Sequence, residues 1–330
     1  MRLTISTGII VLGLLPITTH AAESTVQIIP KNGVIEFQVN NEIVTKYHIA
    51  PTVAKPYLWP LLSPAGVPVT RAWPMEKGTK GETTDHVHQK SAWFCHGDII
   101  AEGITTKSKI PHIEGIDFWS ETPGHGVIAC VDVSSPMIKG NHGSIVTRND
   151  WKTAEGVKVL SEVRTLHLHA LASGPLIEIE STLTADVTPI TFGDTKEGSF
   201  GVRVNDAIAV KPGGGQFTNA KGDVGEPAIW GKPAAWCDYV GKVGGKQAGI
   251  AVFADPKNTF ESNWHARGYG LMAANPFGRA KSGFPSQKDK TELVKLKKGE
   301  SLTLRYGIYV HDGDTKAGDV AGAFQAFSGK

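Results

Sequence analysis

KVLSEVRTLHLHA, residues 158–170, is the stretch that decides the fold, because apolar and polar residues alternate along it. Successive side chains of an extended chain point to opposite faces. One face carries leucines around a charged pair, in the order Leu160, Glu162, Arg164, Leu166 and Leu168. The other face carries Val159, Val163, Thr165, His167 and His169. The alternation predicts a long strand with Glu162 and Arg164 as a buried structural pair, whereas the histidine face lines a cleft or meets solvent.

Shorter runs of the same kind lie on both sides of this strand, separated by Gly, Pro, Asn and Asp. They predict strands over residues 34–39, 43–49, 56–62, 126–133, 143–151, 175–185, 199–204, 235–243, 249–254, 292–296 and 301–310. Pro56 and Pro60 place the run 56–62 at the edge or end of a sheet, because proline cannot donate to a ladder. The one predicted helix is C-terminal, capped by Asp314 or Thr315 and running through Phe327.

Neither an internal repeat nor a low-complexity linker divides the chain. The pattern therefore predicts an all-β fold, a large antiparallel β-sandwich with a short C-terminal helix. We expect residues 23–330 to form a single domain. Two smaller domains are the alternative, because a chain of this length can hold either.

The N-terminal residues have the pattern of an export signal. Arg2 supplies a positive charge, residues 9–15 form an apolar run, and Thr19-His20-Ala21 is the cleavage region. The apolar run is too short to cross a bilayer permanently, and no later run is long enough. We therefore expect residues 1–22 to be a cleaved signal peptide. The mature protein is expected to be periplasmic or secreted, without stable membrane insertion.

The charge balance limits the classes of partner. The formal net charge is +2 and no basic run stands out, which argues against nucleic acid or an anionic membrane surface. Small neutral or weakly acidic molecules, including oligosaccharides, fit better. The sequence makes no prediction of the oligomeric state.

The cysteines Cys95, Cys130 and Cys237 are odd in number, so at most one disulfide can form within the chain. Each has apolar or aromatic neighbours. This favours buried free thiols over a bridge.

The segment DHVHQKSAWFCHGD, residues 85–98, concentrates histidine and aspartate, and Asp117 follows in the motif IEGIDFW. His86 and His88 are two residues apart, so on an extended strand their side chains share one face. Imidazoles that converge with carboxylates such as Asp85 or Asp117 can shuttle protons, grip a sugar or bind a divalent metal. His96, in an apolar run, belongs either to this site or to the core.

A metal is the least favoured of these uses. A cupin-like site needs a glutamate a few residues after the second histidine, where this chain has Lys90 and Ser91. We therefore assign no metal ligands and expect no cofactor.

The segment FGDTKEGSFGVRV, residues 192–204, places Asp194, Lys196 and Glu197 in a turn and Arg203 on a strand. The turn is either simply solvated or supplies a base, because a carboxylate near a cation has its charged form favoured. Glu197 is the preferred base and Asp194 the second choice.

The segment WHAR, residues 264–267, puts His265 and Arg267 on the opposite side from Trp264 if the chain is extended. An aromatic face beside a guanidinium and an imidazole is a common way to hold a sugar. The alternative is a core tryptophan, with His265 and Arg267 satisfying loop carbonyls.

Five blocks together resemble one known family: DHVHQKSAWFCHGD, IEGIDFW, FGDTKEGSFGVRV, IWGKPAAWCDYVG (residues 229–241) and WHARGYGLMAANPFG (residues 264–278). The family is that of exported bacterial proteins labelled "methane oxygenase PmoA" and regarded as a domain of unknown function. A true methane oxygenase subunit spans the membrane, and this chain has no spanning segment.

The resemblance implies a β-sandwich similar to the supersandwich of galactose mutarotases, often found in polysaccharide-degrading systems. It implies no established reaction. Relatives carry two adjacent histidines and an arginine where this chain has His88-Gln89-Lys90.

The leading hypothesis is an exported carbohydrate-active enzyme in which Glu197 and either His86 or His88 exchange protons with a mono- or oligosaccharide. We assign the other candidates to substrate binding: Asp85, His96, Asp117, Asp194, Lys196, Arg203, His265 and Arg267. Hydrolysis, elimination and epimerisation stay open, and two-carboxylate hydrolysis requires Asp117 or Asp194 opposite Glu197. The alternatives are a non-catalytic carbohydrate-binding module, which needs no clustered titratable groups, and a metal-dependent, cupin-like enzyme.

Overall fold

The stretch at residues 158–170 forms strand β10, Lys158–Leu171, in the computed structural model, which describes residues 24–106 and 110–329. The leucine face of β10 is buried and the histidine face is half-exposed along most of its length. The predicted long strand with one buried face is therefore confirmed. The predicted signal peptide, residues 1–22, lies outside the described residues.

Nineteen further strands accompany β10, and most of the connections between them are short. In chain order they are β1 Val26–Lys31, β2 Val34–Val39, β3 Glu42–His48, β4 Tyr57–Leu61, β5 Ala92–His96, β6 Ile99–Ala101, β7 Val127–Val133, β8 Met137–Lys139, β9 His142–Lys152, β11 Gly174–Thr184, β12 Ile190–Phe192, β13 Gly198–Arg203, β14 Gln216–Asn219, β15 Trp236–Val243, β16 Lys246–Ala254, β17 Asn263–Arg267, β18 Leu271–Asn275, β19 Val294–Leu296 and β20 Ser301–Asp312, all within the described ranges. The helices are α1 Glu226–Ile229 and α2 Val320–Ser328, with a 3₁₀ turn at Pro285–Gln287.

These strands form two large antiparallel sheets and one small sheet. The eight-stranded sheet has the order β1-β2-β3-β4-β5-β13-β18-β17. The nine-stranded sheet has the order β14-β15-β16-β20-β11-β10-β9-β7, with β8 also paired to β9. The small sheet has the order β19-β12-β6.

The two large sheets pack face to face, which confirms the predicted all-β antiparallel sandwich. The ring of Tyr306 on β20 contacts Phe94 on β5 and Phe200 on β13, with ring centroids 6.3 Å and 5.3 Å apart. Arg164 reaches across the same interface and donates to the Tyr47 hydroxyl at 2.8 Å. Arg164 also pairs with Glu162, at 2.7 Å between Nε and Oε1, so the predicted buried pair is confirmed.

Two predictions about single elements are wrong. Strand β4 lies inside the eight-stranded sheet, between β3 and β5, although it contains Pro60. Helix α2 begins at Val320 and is capped by Asp319, whose side chain accepts from the Gly322 amide. Of the two predicted caps, Asp314 instead accepts from the amides of the turn that precedes the helix, and the Thr315 hydroxyl donates to Asp238.

All three cysteines are free thiols in the structure, with Cys95 and Cys237 buried and Cys130 half-buried. Across residues 24–106 and 110–329, we find no helix with the length and apolar character needed to cross a membrane.

Candidate functional site

The outer face of the eight-stranded sheet carries a tryptophan pair that forms the base of the site. Phe94 and Phe200 point to the second sheet, so their neighbours Trp93 and Gly201 point outward in register with each other. Trp119 packs edge-on against Trp93, with ring centroids 5.0 Å apart. A Cβ on Gly201 would lie 2.7 Å from Trp93 and 3.0 Å from Trp119. Glycine at this position therefore makes room for both indoles.

A cavity of about 420 Å³ opens above this base. Its volume lies within the range of small-molecule sites, roughly 300–1,000 Å³. Four distant parts of the chain line it: His86, His88, Gln89, Asp117, Trp119, Ser120, Lys196, Glu197, His265, Arg267 and Tyr269. The structure therefore brings together seven of the residues predicted from sequence, namely His86, His88, Asp117, Lys196, Glu197, His265 and Arg267.

Glu197 immediately precedes β13 and is held between two neighbours. Its Oε1 lies 3.1 Å from Lys196 Nζ and its Oε2 lies 3.6 Å from His265 Nδ1. Gly97 lets this backbone approach closely, because a Cβ there would lie 2.7 Å from the Glu197 Cβ. Burial raises the pKa of Glu197, and the charge of Lys196 offsets this only in part. The predicted favouring of the charged form is thus wrong, since desolvation outweighs the ion pair.

His265 on β17 is a buried, neutral imidazole. Its Nδ1 donates to the Lys196 carbonyl oxygen at 2.9 Å. Burial, with the nearby charge of Arg267, lowers the pKa of His265 to about 3. The ring lies between Trp119 and Trp230, at centroid distances of 6.3 Å and 5.1 Å. An Nδ1–H tautomer leaves the Nε2 lone pair as an acceptor.

His86 and His88 lie in a turn that precedes β5 and not on an extended strand. His86 has a positive φ of 44°, and the two rings still meet edge-on with centroids 5.7 Å apart. His86 also stacks on Tyr269, at a centroid distance of 5.2 Å. Burial, and then the charge of Lys55, lower the pKa of His88 to about 3.

Arg267 lines the cavity and packs on Trp230, the residue that follows α1. Its guanidinium carbon lies 3.8 Å from the centroid of the Trp230 ring, and Nη1 lies 3.1 Å from Glu226 Oε1. Trp264, the aromatic residue predicted beside it, is fully buried in the core and donates to the Ala234 carbonyl. His265 and Arg267 therefore lie on the opposite side of β17 from Trp264, as predicted. The aromatic rings at the cavity are those of Trp119 and Tyr269 instead.

Asp117 lines the cavity, yet its carboxylate is occupied by its own loop. Oδ1 accepts from the amides of Trp119 and Ser120 at 2.7 Å and 3.0 Å, and Oδ2 accepts from the Ser120 hydroxyl at 2.5 Å. These bonds hold the turn that presents Trp119. Asp117 is therefore placed at the site in a structural position.

The other predicted site residues do not line the cavity. Asp85 and Arg203 lie directly behind it, where Arg203 Nη1 donates to Gln89 Oε1 at 2.6 Å. His96 is in the core, where its Nε2 donates to the Gly193 carbonyl and burial lowers its pKa to about 4. Asp194 accepts from three backbone amides, those of Arg279, Lys281 and Ser282, and so holds a neighbouring loop.

The cavity also contains residues that the sequence did not suggest. Tyr269 follows Arg267 in the turn between β17 and β18, where strand alternation no longer predicts direction. Gln89 is buried at the cavity wall. Trp230 lies next to the lining and contacts His265 and Arg267. It comes from the block IWGKPAAWCDYVG, in which the resemblance assigned a role to no residue.

No group of three or more His, Cys, Asp or Glu side chains suited to holding a metal ion occurs in the described part of the chain. Three histidines, His142, His167 and His169, do lie together on the nine-stranded sheet, away from the cavity. Their rings stack with interplanar angles of 17°, 27° and 24°.

Several solved structures are similar to this chain. A galactose mutarotase-like protein from Lactobacillus casei ATCC 334 is 11% identical, with 87% of this chain and 100% of that chain covered and a TM-score of 0.38. A galactose mutarotase related enzyme from Lactobacillus acidophilus is 11% identical, with 87% and 97% covered and a TM-score of 0.34. A glycoside hydrolase family 97 enzyme from Pseudoalteromonas sp. strain K8 is 9% identical, with 86% and 34% covered and a TM-score of 0.34.

The TM-scores of these three structures are too low to compare the positions of individual site residues. No curated protein sequence matches the chain significantly. A sequence model of the family of unknown function DUF6807 matches residues 34–325. The chain therefore belongs to the DUF6807 family.

Proposed function

We propose that this protein is a carbohydrate-active enzyme that exchanges protons with a mono- or oligosaccharide. The observation that carries the proposal is the shared cavity of Glu197, His86, His88 and His265. Burial raises the pKa of Glu197 and lowers the pKa of His88 and His265. A carboxyl group biased toward its acid form can donate a proton, and the neutral imidazoles beside it present nitrogen lone pairs to a ligand.

A saccharide fits the remaining walls of the cavity. Trp119 and Tyr269 contribute aromatic carbon to the lining, and Lys196, Gln89 and Arg267 offer donors for hydroxyl oxygens. A non-catalytic binding module is less well supported, because it needs an open aromatic face and no cluster of titratable groups. Here the titratable groups are the larger part of the lining.

Among sugar reactions, elimination and epimerisation are better supported than two-carboxylate hydrolysis. Hydrolysis needs a second free carboxylate opposite Glu197. Asp117 has both oxygens occupied by its own loop, and Asp194 lies away from the cavity in another loop. A carboxylic acid with an imidazole suffices for proton transfer at a sugar carbon or ring oxygen.

The test is a screen of purified residues 23–330 against plant and algal oligosaccharides and their constituent reducing sugars. Reducing ends, unsaturated products and anomeric ratios are read in parallel, so that hydrolysis, elimination and epimerisation give separate signals. We expect Glu197→Gln to lower the rate about 100-fold or more, because the amide cannot transfer a proton.

Glu42→Gln is the matched control, since Glu42 is exposed at the start of β3 and does not line the cavity. Its rate is expected to equal that of the wild type. A Glu197→Gln variant as active as the Glu42→Gln variant would remove Glu197 from the chemistry.

We also propose that this reaction takes place outside the cytoplasm, on the basis of the signal-like pattern in residues 1–22. Fractionation of the producing cells and N-terminal sequencing test this. The mature chain is expected to begin at Ala22 or Glu23, and recovery of an intact Met1 in the cytoplasm would contradict it.

A further inference from the structure

Two arginines are buried behind the cavity and converge on Asp85. The side chains of Arg71 and Arg203 are 0% and 1% exposed. Arg71 Nη1 donates to Asp85 Oδ1, and Arg203 Nη2 donates to the same oxygen at 3.1 Å. Burial alone would raise the pKa of Asp85, but the bond from Arg71 and the charge of Arg203 lower it to about 2. Asp85 is therefore an ionised acceptor at neutral pH.

The second oxygen of Asp85 faces the cavity histidine His86. Oδ2 lies 2.8 Å from His86 Nδ1, so the carboxylate accepts a hydrogen bond from Nδ1–H. A neutral imidazole has only one N–H, and the Nε2 lone pair is then left unprotonated. Arg71 also fixes the backbone here, because its Nη2 donates to the carbonyls of Asp85 and His86 at 2.9 Å and 3.2 Å.

The His86 ring is held at its Nδ1 edge by Asp85, and a second set of residues packs on its face. His86 stacks on Tyr269 at an interplanar angle of 17°, and Arg203 packs on Tyr269 with its guanidinium carbon 4.6 Å from the ring centroid. Neighbouring His88 differs in this respect. Its ring makes no hydrogen bond to any residue that the structure describes, so no protein group among those residues selects its tautomer.

We propose that Asp85, Arg71 and Arg203 form a positioning unit that holds His86 as the Nδ1–H tautomer with Nε2 presented to the cavity. His86, and not His88, is then the imidazole that exchanges a proton with the substrate. This last step rests on the proposed function, whereas the tautomer is a property of the free protein.

The proton count of the exchange balances. His86 Nε2 takes one proton from the saccharide and becomes an imidazolium, which the Asp85 carboxylate stabilises. Glu197 gives one proton to the saccharide and becomes a carboxylate. The substrate is rearranged without net gain of protons, and transfer through water resets the two groups.

Long-range ¹H–¹⁵N correlation spectra of the ¹⁵N-labelled mature chain test the tautomer directly, with His86→Ala identifying the His86 signals. We expect the Nδ1–H form in the wild type near pH 7. Asp85→Asn is expected to give the Nε2–H form or a mixture, because the amide NH₂ can donate to Nδ1. Asp150→Asn is the control and should leave the His86 signals unchanged, since Asp150 lies on β9 of the other sheet.

A wild-type Nε2–H form, or an unchanged tautomer in Asp85→Asn, overturns the positioning unit. If Asp85→Asn does not fold, Arg203→Lys is read in the same way, because lysine cannot contact Gln89, Asp85 and Tyr269 together. In Arg203→Lys, a mixture of His86 tautomers supports the positioning unit, and a spectrum unchanged from the wild type overturns it.

Kinetics on any saccharide turned over in the screen then test the choice of histidine. We expect about a 100-fold loss of kcat in His86→Ala and in Asp85→Asn, with KM little changed, and a smaller loss in His88→Ala. The reverse order of the two histidine variants overturns the assignment to His86. If the spectra show the expected tautomers but no saccharide is turned over, the positioning unit stands and the proposed function is rejected.

Discussion

At the scale of single residues, burial separates the structural charges from those available for chemistry. Both oxygens of Glu162 are occupied, since Arg164 donates to Oε1 and Oε2 and Trp151 Nε1 donates to Oε2 at 2.9 Å. Glu197 forms its shorter ion pair with Lys196, and its side chain is 28% exposed at the cavity. The carboxylate of Glu162 is therefore engaged by its buried partners, whereas the carboxylate of Glu197 is open to a ligand.

The Glu162 and Arg164 pair gives a prediction about stability. We expect Glu162→Gln to lower the free energy of unfolding by about 3–5 kcal/mol, because it leaves the Arg164 guanidinium buried without a counter-charge. The double variant Glu162→Met with Arg164→Met should cost less than the sum of the two single variants. Urea denaturation of the wild type, Glu162→Gln, Glu162→Met, Arg164→Met and the double variant measures this, and additive losses in the two methionine variants would show that the pair is not coupled.

The same scale shows what a sequence pattern can and cannot predict. Alternation in residues 158–170 placed Glu162 and Arg164 on one buried face, and the structure confirms this. The pattern gave the wrong direction for the pKa of Glu197. Lys196 is adjacent in sequence and visible there, whereas the desolvating neighbours come from β17 and from Gly97, which only the tertiary structure brings close.

At the scale of elements, β9 and β10 carry a stack of imidazoles on their outer face, and the neighbouring β11 carries Glu178. His142 Nε2 lies 3.2 Å from His167 Nδ1, and His169 Nε2 lies 3.0 Å from Glu178 Oε1. Glu178 also binds Arg305 from β20 at 2.6 Å, so its charge is shared. The Glu178 carboxylate is therefore shared between one imidazole and one guanidinium.

This stack predicts that stability falls on mild acidification. Burial, and then neighbouring imidazoles, lower the pKa of His142, and burial is the leading cause of the lowered pKa of His167. A lowered pKa in the folded state means that the unfolded chain takes up protons first as the pH drops below about 6.5. We therefore expect the free energy of unfolding to decrease from about pH 7 to about pH 5, less steeply in His142→Asn. Equal slopes in variant and wild type would contradict this.

Strand β4 shows why proline is an incomplete guide to sheet position. Pro60 predicts an edge because it has no N–H to donate, yet β4 lies between two strands. Only Tyr57 and Leu58 pair with β5, and the ladder to β3 has an irregularity between Leu58 and Leu61. Pro60 falls where neither neighbour needs its amide, and that gap becomes visible only once the register is known.

At the scale of the whole molecule, the strands were largely predictable and their assembly was not. Period-two patterns predicted most long strands, but β5, β17 and β18 are buried throughout or nearly so and show no alternation. The cavity depends on the order β5-β13-β18-β17, which brings Glu197 and His265 to one place. Long-range pairing of this kind leaves no local pattern in the sequence, so the chemistry of the site residues was predictable and their geometry was not.

The position of the two indoles beside His265 has a practical consequence. Trp119 and Trp230 both contact this imidazole, at ring-centroid distances of 6.3 Å and 5.1 Å, and Trp119 lines the cavity directly. Indole emission depends on the polarity around the ring and on nearby quenching groups. The protein therefore carries an intrinsic optical reporter, and titration with unlabelled compounds can register occupancy even when no bond is made or broken.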